Sequence, residues 1–123
     1  MIKRASTLAR HIAALISKKK GDDIIVLDLR RHSPIADFFV IATAMSSAHA
    51  QAISDAIEQG MKRTGGRPHH VEGYSLANWV LIDYISVVVH IFVAEVRSFY
   101  GLERLWGDVP AERFSDARDA END

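Results

Sequence analysis

The chain has no cysteine. Disulfide frameworks, thiolate zinc sites and cysteine nucleophiles are therefore excluded, and the composition fits a reducing compartment. Glycine and proline are sparse, and no glycine-rich phosphate loop or Walker pattern is present. No serine lies in a nucleophile-elbow context. No apolar run reaches the ~20 residues that a membrane helix needs. Charge of one sign is also lacking: the formal net charge is −1. A protein that grips many phosphates carries a stronger basic stripe than this. What remains is the composition of an ordinary globular protein. Its 123 residues suffice for one domain and one core.

The charge that is present is unevenly placed. From Gly107 onward Asp108, Glu112, Asp116, Asp119, Glu121 and Asp123 face only Arg113 and Arg118, which makes the tail acidic by four and the preceding body basic by three. We divide the chain into a folded domain, 1–108, and an acidic tail, 109–123, whose composition reads as disordered.

The stretch Trp79–Phe92 organises the rest. Trp79-Val80-Leu81-Ile82-Asp83-Tyr84 and Val87-Val88-Val89-His90-Ile91-Phe92 are rich in β-branched and aromatic residues. They read as two antiparallel strands of a hairpin. Ile85-Ser86 is a poor two-residue turn, so a bulged or longer connection is expected. In the first strand Trp79, Leu81 and Asp83 share one face, and Val80, Ile82 and Tyr84 the other. The second strand is nearly all apolar and should be covered on both faces.

Around this hairpin the periodicity predicts a helix over 2–20, in which Ala5, Leu8, Ala9, Ile12, Ala13 and Ile16 recur at helical steps and Gly21 stops the run. The segment is also basic and amphipathic, as organellar targeting peptides are. Its direct run into a strand favours a helix of the fold. Strands are expected at 24–29 and 38–43, and a helix capped by Ser46 or Ser47 runs to about Arg63. His69-His70-Val71 gives a short edge strand behind Pro68. Ala94–Leu105 forms a short helix or turn, and Trp106 closes the ordered part. The fold class is α/β: one domain with a mixed sheet of about five strands flanked by helices.

No chemistry-bearing cluster stands out. His69 and His70 are neighbours on a strand and point to opposite faces, which suits no shared metal. Asp28, Asp37 and Asp83 lie on or beside the sheet, where carboxylates can hold magnesium for nucleotidyl transfer. No phosphate-holding motif accompanies them, and Asp37 reads as a turn residue. His90 reads as a neutral histidine satisfied by a carboxylate such as Asp83 across the hairpin. Trp79 suits core and interface equally. With Leu81, Phe99 and Tyr100 it can form an apolar docking patch.

Taken together, several fragments resemble one family. They are Asp28-Leu29, the run Ser33-Pro34-Ile35-Ala36-Asp37-Phe38-Phe39-Val40-Ile41-Ala42-Thr43, Ser46-Ser47, His70-Val71-Glu72-Gly73, the two hairpin strands, and Tyr100-Gly101-Leu102-Glu103-Arg104-Leu105-Trp106. In this order and spacing they resemble the ribosomal silencing factors, the Iojap-related family. The resemblance covers roughly residues 5–108. It implies a nucleotidyltransferase-like topology without the catalytic site, no enzymatic activity and no cofactor or metal. It further implies a cytoplasmic translational repressor that binds large-subunit ribosomal protein fourteen, blocks joining of the small subunit when nutrients are scarce, and is a homodimer when free. Specific nucleic-acid binding and membrane association are not implied. Carried onto this chain, the partner-binding residues are Trp79, Leu81, Asp83, His90, Phe99 and Tyr100. The chain departs from the family at Ile85-Ser86, where a glycine–acid pair is usual, and at Ala44-Met45, where glycine–threonine is commoner. Two other readings stay open: a magnesium- and nucleotide-binding enzyme of nucleotidyltransferase type, and a dimeric adaptor with no ribosome role.

Overall fold

A computed structural model of the protein describes residues 4–64 and 66–114. Six strands form one mixed sheet in the order β3-β4-β5-β2-β1-β6. The strands are β1 (Asp22–Asp28), β2 (Phe38–Ala44), β3 (His70–Glu72), β4 (Trp79–Asp83), β5 (Val87–Val93) and β6 (Ala111–Arg113). The helices are α1 (Ala5–Lys18), α2 (Ser47–Lys62), α3 (Ala94–Tyr100) and α4 (Leu102–Leu105). The central pair, β2 and β5, is parallel and in register from Phe38↔Val87 to Ala44↔Val93. All other pairs are antiparallel. Strands buried on both faces read as unbroken apolar runs, and β2 and β5 are these strands.

One face of the sheet is closed by α1 and α2. Ala9, Ile12, Ala13 and Ile16 of α1 meet Ala50, Ile53, Ile57 and Met61 of α2 over Val40, Val80, Ile82, Val89 and Ile91. Each helix spaces these residues at three- and four-residue steps, which lines them on one stripe. Ser46 caps α2 by accepting a hydrogen bond from the His49 amide at 3.1 Å. The basic amphipathic first helix is thus an integral layer of the domain, with Ala9, Ile12, Ala13 and Ile16 of its apolar stripe buried and Ala5 and Leu8 partly so.

The sheet has one more strand than expected, and the missing one lies in the acidic tail. Val109 is buried, and β6 pairs with β1 through Ile25↔Arg113, Val26↔Glu112 and Leu27↔Ala111. The Asp28 and Phe114 amides donate to Pro110 and Ile24 carbonyls. Glu112 pairs with Arg10, and Arg113 with Asp23. The ordered domain therefore extends past Asp108 to Phe114, because backbone pairing to an otherwise open edge outweighs a composition poor in strand formers. The rest of the expected tail, 115–123, lies outside the described residues.

The hairpin turn is also corrected. The Tyr84 amide donates to the Val87 carbonyl at 2.9 Å, which leaves Ile85-Ser86 as a tight two-residue turn rather than a bulged or longer one. The Ser86 amide donates to the Tyr84 carbonyl, closing a γ-turn about Ile85, whose φ is +74°. A β-branched residue in that region is strained. The Asp83 carboxylate accepts from the Ile85 amide at 2.7 Å and helps to hold the turn.

Candidate functional site

The second face of the sheet differs in construction. Leu27, Leu29, Phe39, Ile41, Val88, Phe92 and Val109 form its core, and Val96, Leu102 and Trp106 cover them. The cover comes from α3, α4 and the residues after them. It is clamped by Arg97, whose side chain is almost entirely buried. The Arg97 guanidinium donates to Glu103 Oε1 at 2.6 Å, to the Asp23 carbonyl at 2.7 Å and to Thr43 Oγ1 at 2.8 Å. Gly101 separates the two short helices at φ +56°, a conformation that suits glycine at a helix end.

The cover lies mainly over β5 and β2 and reaches β4 through Tyr100, at Trp79. Directly paired residues of antiparallel strands project from the same face. The pairs Glu72↔Leu81 and Leu81↔His90 therefore put Glu72, Leu81 and His90 in one row. His70↔Asp83 and Asp83↔Val88 give a second row beside it, and Trp79↔Phe92 a third. Trp79, Leu81 and Asp83 do share this face and are each half-buried. The Tyr100 ring packs on Trp79 with centroids 4.9 Å apart. Phe99 touches Tyr100 at 5.1 Å and is 79% exposed. Its ring contact among the described residues is with Tyr100.

His90 is placed differently from its neighbours. It is 4% exposed, beneath Trp79. Its partner is not Asp83, which pairs with Val88. The Trp79 indole Nε1–H donates to His90 Nδ1 at 3.1 Å. Phe39 stands edge-on to the imidazole at 4.6 Å, and Phe92 stacks parallel to it at 6.2 Å. Burial among these rings pushes the His90 pKa down to about 4, so the side chain is neutral near pH 7.

Sequence reasoning missed two residues of this region. Glu72 borders Leu81, with His70 3.2 Å away from its carboxylate. The strand register reveals it; the local sequence does not. Arg97 had no local signal at all, since its hydrogen-bond partners include residues more than fifty positions away.

The carboxylates considered for a metal do not converge. Asp28 pairs with Phe38 on the face covered by α1 and α2, whereas Asp83 lies on the opposite face. Arg30 grips Asp28 with bonds of 2.6 and 2.9 Å, and this hydrogen bonding holds its carboxyl below the usual range. Among the described residues no three acidic or histidine side chains are grouped to hold a metal ion. A cavity of about 490 Å³ is lined by Asp28, Arg30, Arg31, His32 and Pro110, none of which belongs to the Trp79 face. No helix among the described residues is long and apolar enough to cross a membrane.

The fold and this site define a single-domain α/β protein with one helix-covered sheet face and one face left partly open around a tryptophan. The chain belongs to the ribosomal silencing factor family: residues 2–123 match the family model described as ribosomal silencing factor during starvation. It is 41% identical over 104 residues to the ribosomal silencing factor of Bacillus subtilis, covering 85% of this chain and 88% of that one. The corresponding protein of Halalkalibacterium halodurans is 40% identical over 95 residues, covering 77% and 81%. A crystal structure of a Chromobacterium violaceum protein superposes with a TM-score of 0.83 at 28% identity, covering 85% of this chain and 88% of that one.

Proposed function

We propose that this protein is a translational repressor that binds large-subunit ribosomal protein fourteen and blocks joining of the small ribosomal subunit, lowering translation under nutrient limitation. The observation that carries the reading is the open sheet face: Trp79, Leu81 and Tyr100 form an apolar centre, and Glu72 and Asp83 border it. Aromatic residues at the centre of a patch with polar groups at its rim are the usual anatomy of a protein interface. Carboxylates at that rim suit a basic partner, as ribosomal proteins are, and disfavour RNA phosphates. Obstructing a second large body requires occupancy and bulk, so the function calls for no catalytic group, metal or cofactor. The free protein is a cytoplasmic homodimer in this reading.

Sedimentation with separated ribosomal subunits, followed by a subunit-joining assay, tests it. Co-sedimentation with the large subunit alone, together with fewer joined ribosomes, is expected. Binding to neither subunit would overturn the reading.

A further inference from the structure

His90 is the buried group that the proposed contact does not itself use. It is too deeply covered to meet a partner, yet it is bonded to the side chain at the centre of the patch. Indole Nε1 is only a donor, so the nitrogen it faces must offer a lone pair. Nδ1 is therefore the unprotonated nitrogen, and the imidazole proton sits on Nε2. His90 Nε2 is buried and has no hydrogen-bond partner among the described residues. A buried donor without an acceptor is a standing cost. A phenyl ring carries no such donor, so burial among Phe39 and Phe92 does not by itself call for an imidazole here. Of its two nitrogens only Nδ1 has a partner among the described residues, and it supplies what a phenyl ring cannot, an acceptor for the indole N–H.

We propose that His90 is a positioning residue: through Nδ1 it accepts the Trp79 indole N–H and fixes that ring in the pose from which it meets a protein partner. The proposal rests on the open face being the binding surface. Trp79 is held from below by His90 and packed against Tyr100. Without that bond the half-buried indole would be held by ring packing alone, and any ordering that remains for binding weakens the complex. The hydrogen bond removes that loss before the partner arrives. His90 thus acts through Trp79 and makes no contact of its own.

The test uses the full-length protein, with nitrogen-15 spectra and large-subunit sedimentation as separate readouts. A Trp106→Phe variant assigns the Trp79 indole signal. In the wild type the histidine spectrum should place the proton on Nε2, and the Trp79 indole proton should exchange slowly with solvent. A proton on Nδ1 would overturn the proposal without any variant. His90→Phe keeps a ring but no acceptor, and should shift the indole signal, speed its exchange and weaken large-subunit binding about tenfold. His90→Asn returns an acceptor near the Nδ1 position and should recover most of that affinity. Equal weakening in both variants, or wild-type binding by His90→Phe, would overturn it. Should the wild type fail to bind large subunits, the proposed function falls, and the tautomer and indole exchange still decide whether His90 holds Trp79.

Discussion

The two faces of the sheet are built by opposite rules. Under α1 and α2 the contacts are mostly aliphatic, side chain against side chain, and nearly every residue is closed off from water. Under α3 and α4 an aliphatic core adjoins a cluster of rings (Phe39, Trp79, His90, Phe92 and Trp106), the cover is short, and a buried arginine holds that cover down. Aliphatic packing over long helices needs only correct volume and periodicity. The second face depends on individual polar contacts, since two helices of seven and four residues bury too little to hold themselves. That division leaves the aromatic face free to present Trp79 and Tyr100, while stability is concentrated behind it.

The largest effect is expected where the second face depends on one side chain. Arg97→Ala removes three hydrogen bonds and leaves the partly buried Glu103 carboxylate without its cation, at a cost of about 3–5 kcal/mol. Denaturant unfolding measures it, and a loss below 1 kcal/mol would show that the cover is held by packing after all. Ile53→Ala, in the aliphatic face, should cost about 3 kcal/mol through transfer and cavity terms. It should leave large-subunit binding intact at temperatures where the variant is folded; a specific binding defect would erase the contrast between the faces.

Acid should weaken the aromatic face. The His90 pKa lies at about 4 in the fold, against about 6.5 in an unfolded chain. Between these values the unfolded state binds more protons, so this contribution is complete above pH 6.5 and is lost as the pH falls toward 4. It amounts to about 2–3 kcal/mol and should be missing from His90→Phe, as paired unfolding curves across that range would reveal. Trp79→Ala should leave the aliphatic face folded and weaken large-subunit binding by about 2 kcal/mol, as a central interface aromatic does. Unchanged affinity in sedimentation would mean that the partner docks elsewhere. The smallest effect is a gain. Ile85→Gly relieves a β-branched residue at φ +74° and should raise the melting temperature, worth about 1 kcal/mol.

The aliphatic half was readable from the sequence because periodicity reports it directly. α1, α2, β2 and the hairpin strands follow from the spacing of Ile12, Ile16, Ile53 and Ile57 and from the runs at Phe38 and Val87. The alternation of β4 also placed Trp79, Leu81 and Asp83 together. What escaped was set by distant partners. β6 contains Glu112 and Arg113 and has no β-branched residue; it is a strand because β1 offers it backbone partners and because Arg10 of α1 and Asp23 of β1 offer it ion pairs. Glu72 enters the site only through register, and Arg97 only through the meeting of β1, β2 and α4. The apolar run around His90 points to a buried neutral group, but its partner is the indole on the facing strand, not a carboxylate. Ile85 is a poor turn residue on sequence grounds. A tight, strained turn rather than a longer one follows from Tyr84 and Val87 remaining paired around it.

The short strand after Pro110 has a consequence beyond the fold. Without it, β1 would be a seven-residue edge offering a row of unpaired amides and carbonyls beside Ile24, Ile25, Val26 and Leu27. Such an edge is a template on which one chain can add to another without limit. β6 is three residues long, exposed and charged at two of them, and begins directly after a proline. It continues the sheet by one strand and then makes further addition unattractive. β6 therefore caps the β1 edge against strand addition, which bears on where this domain can be shortened.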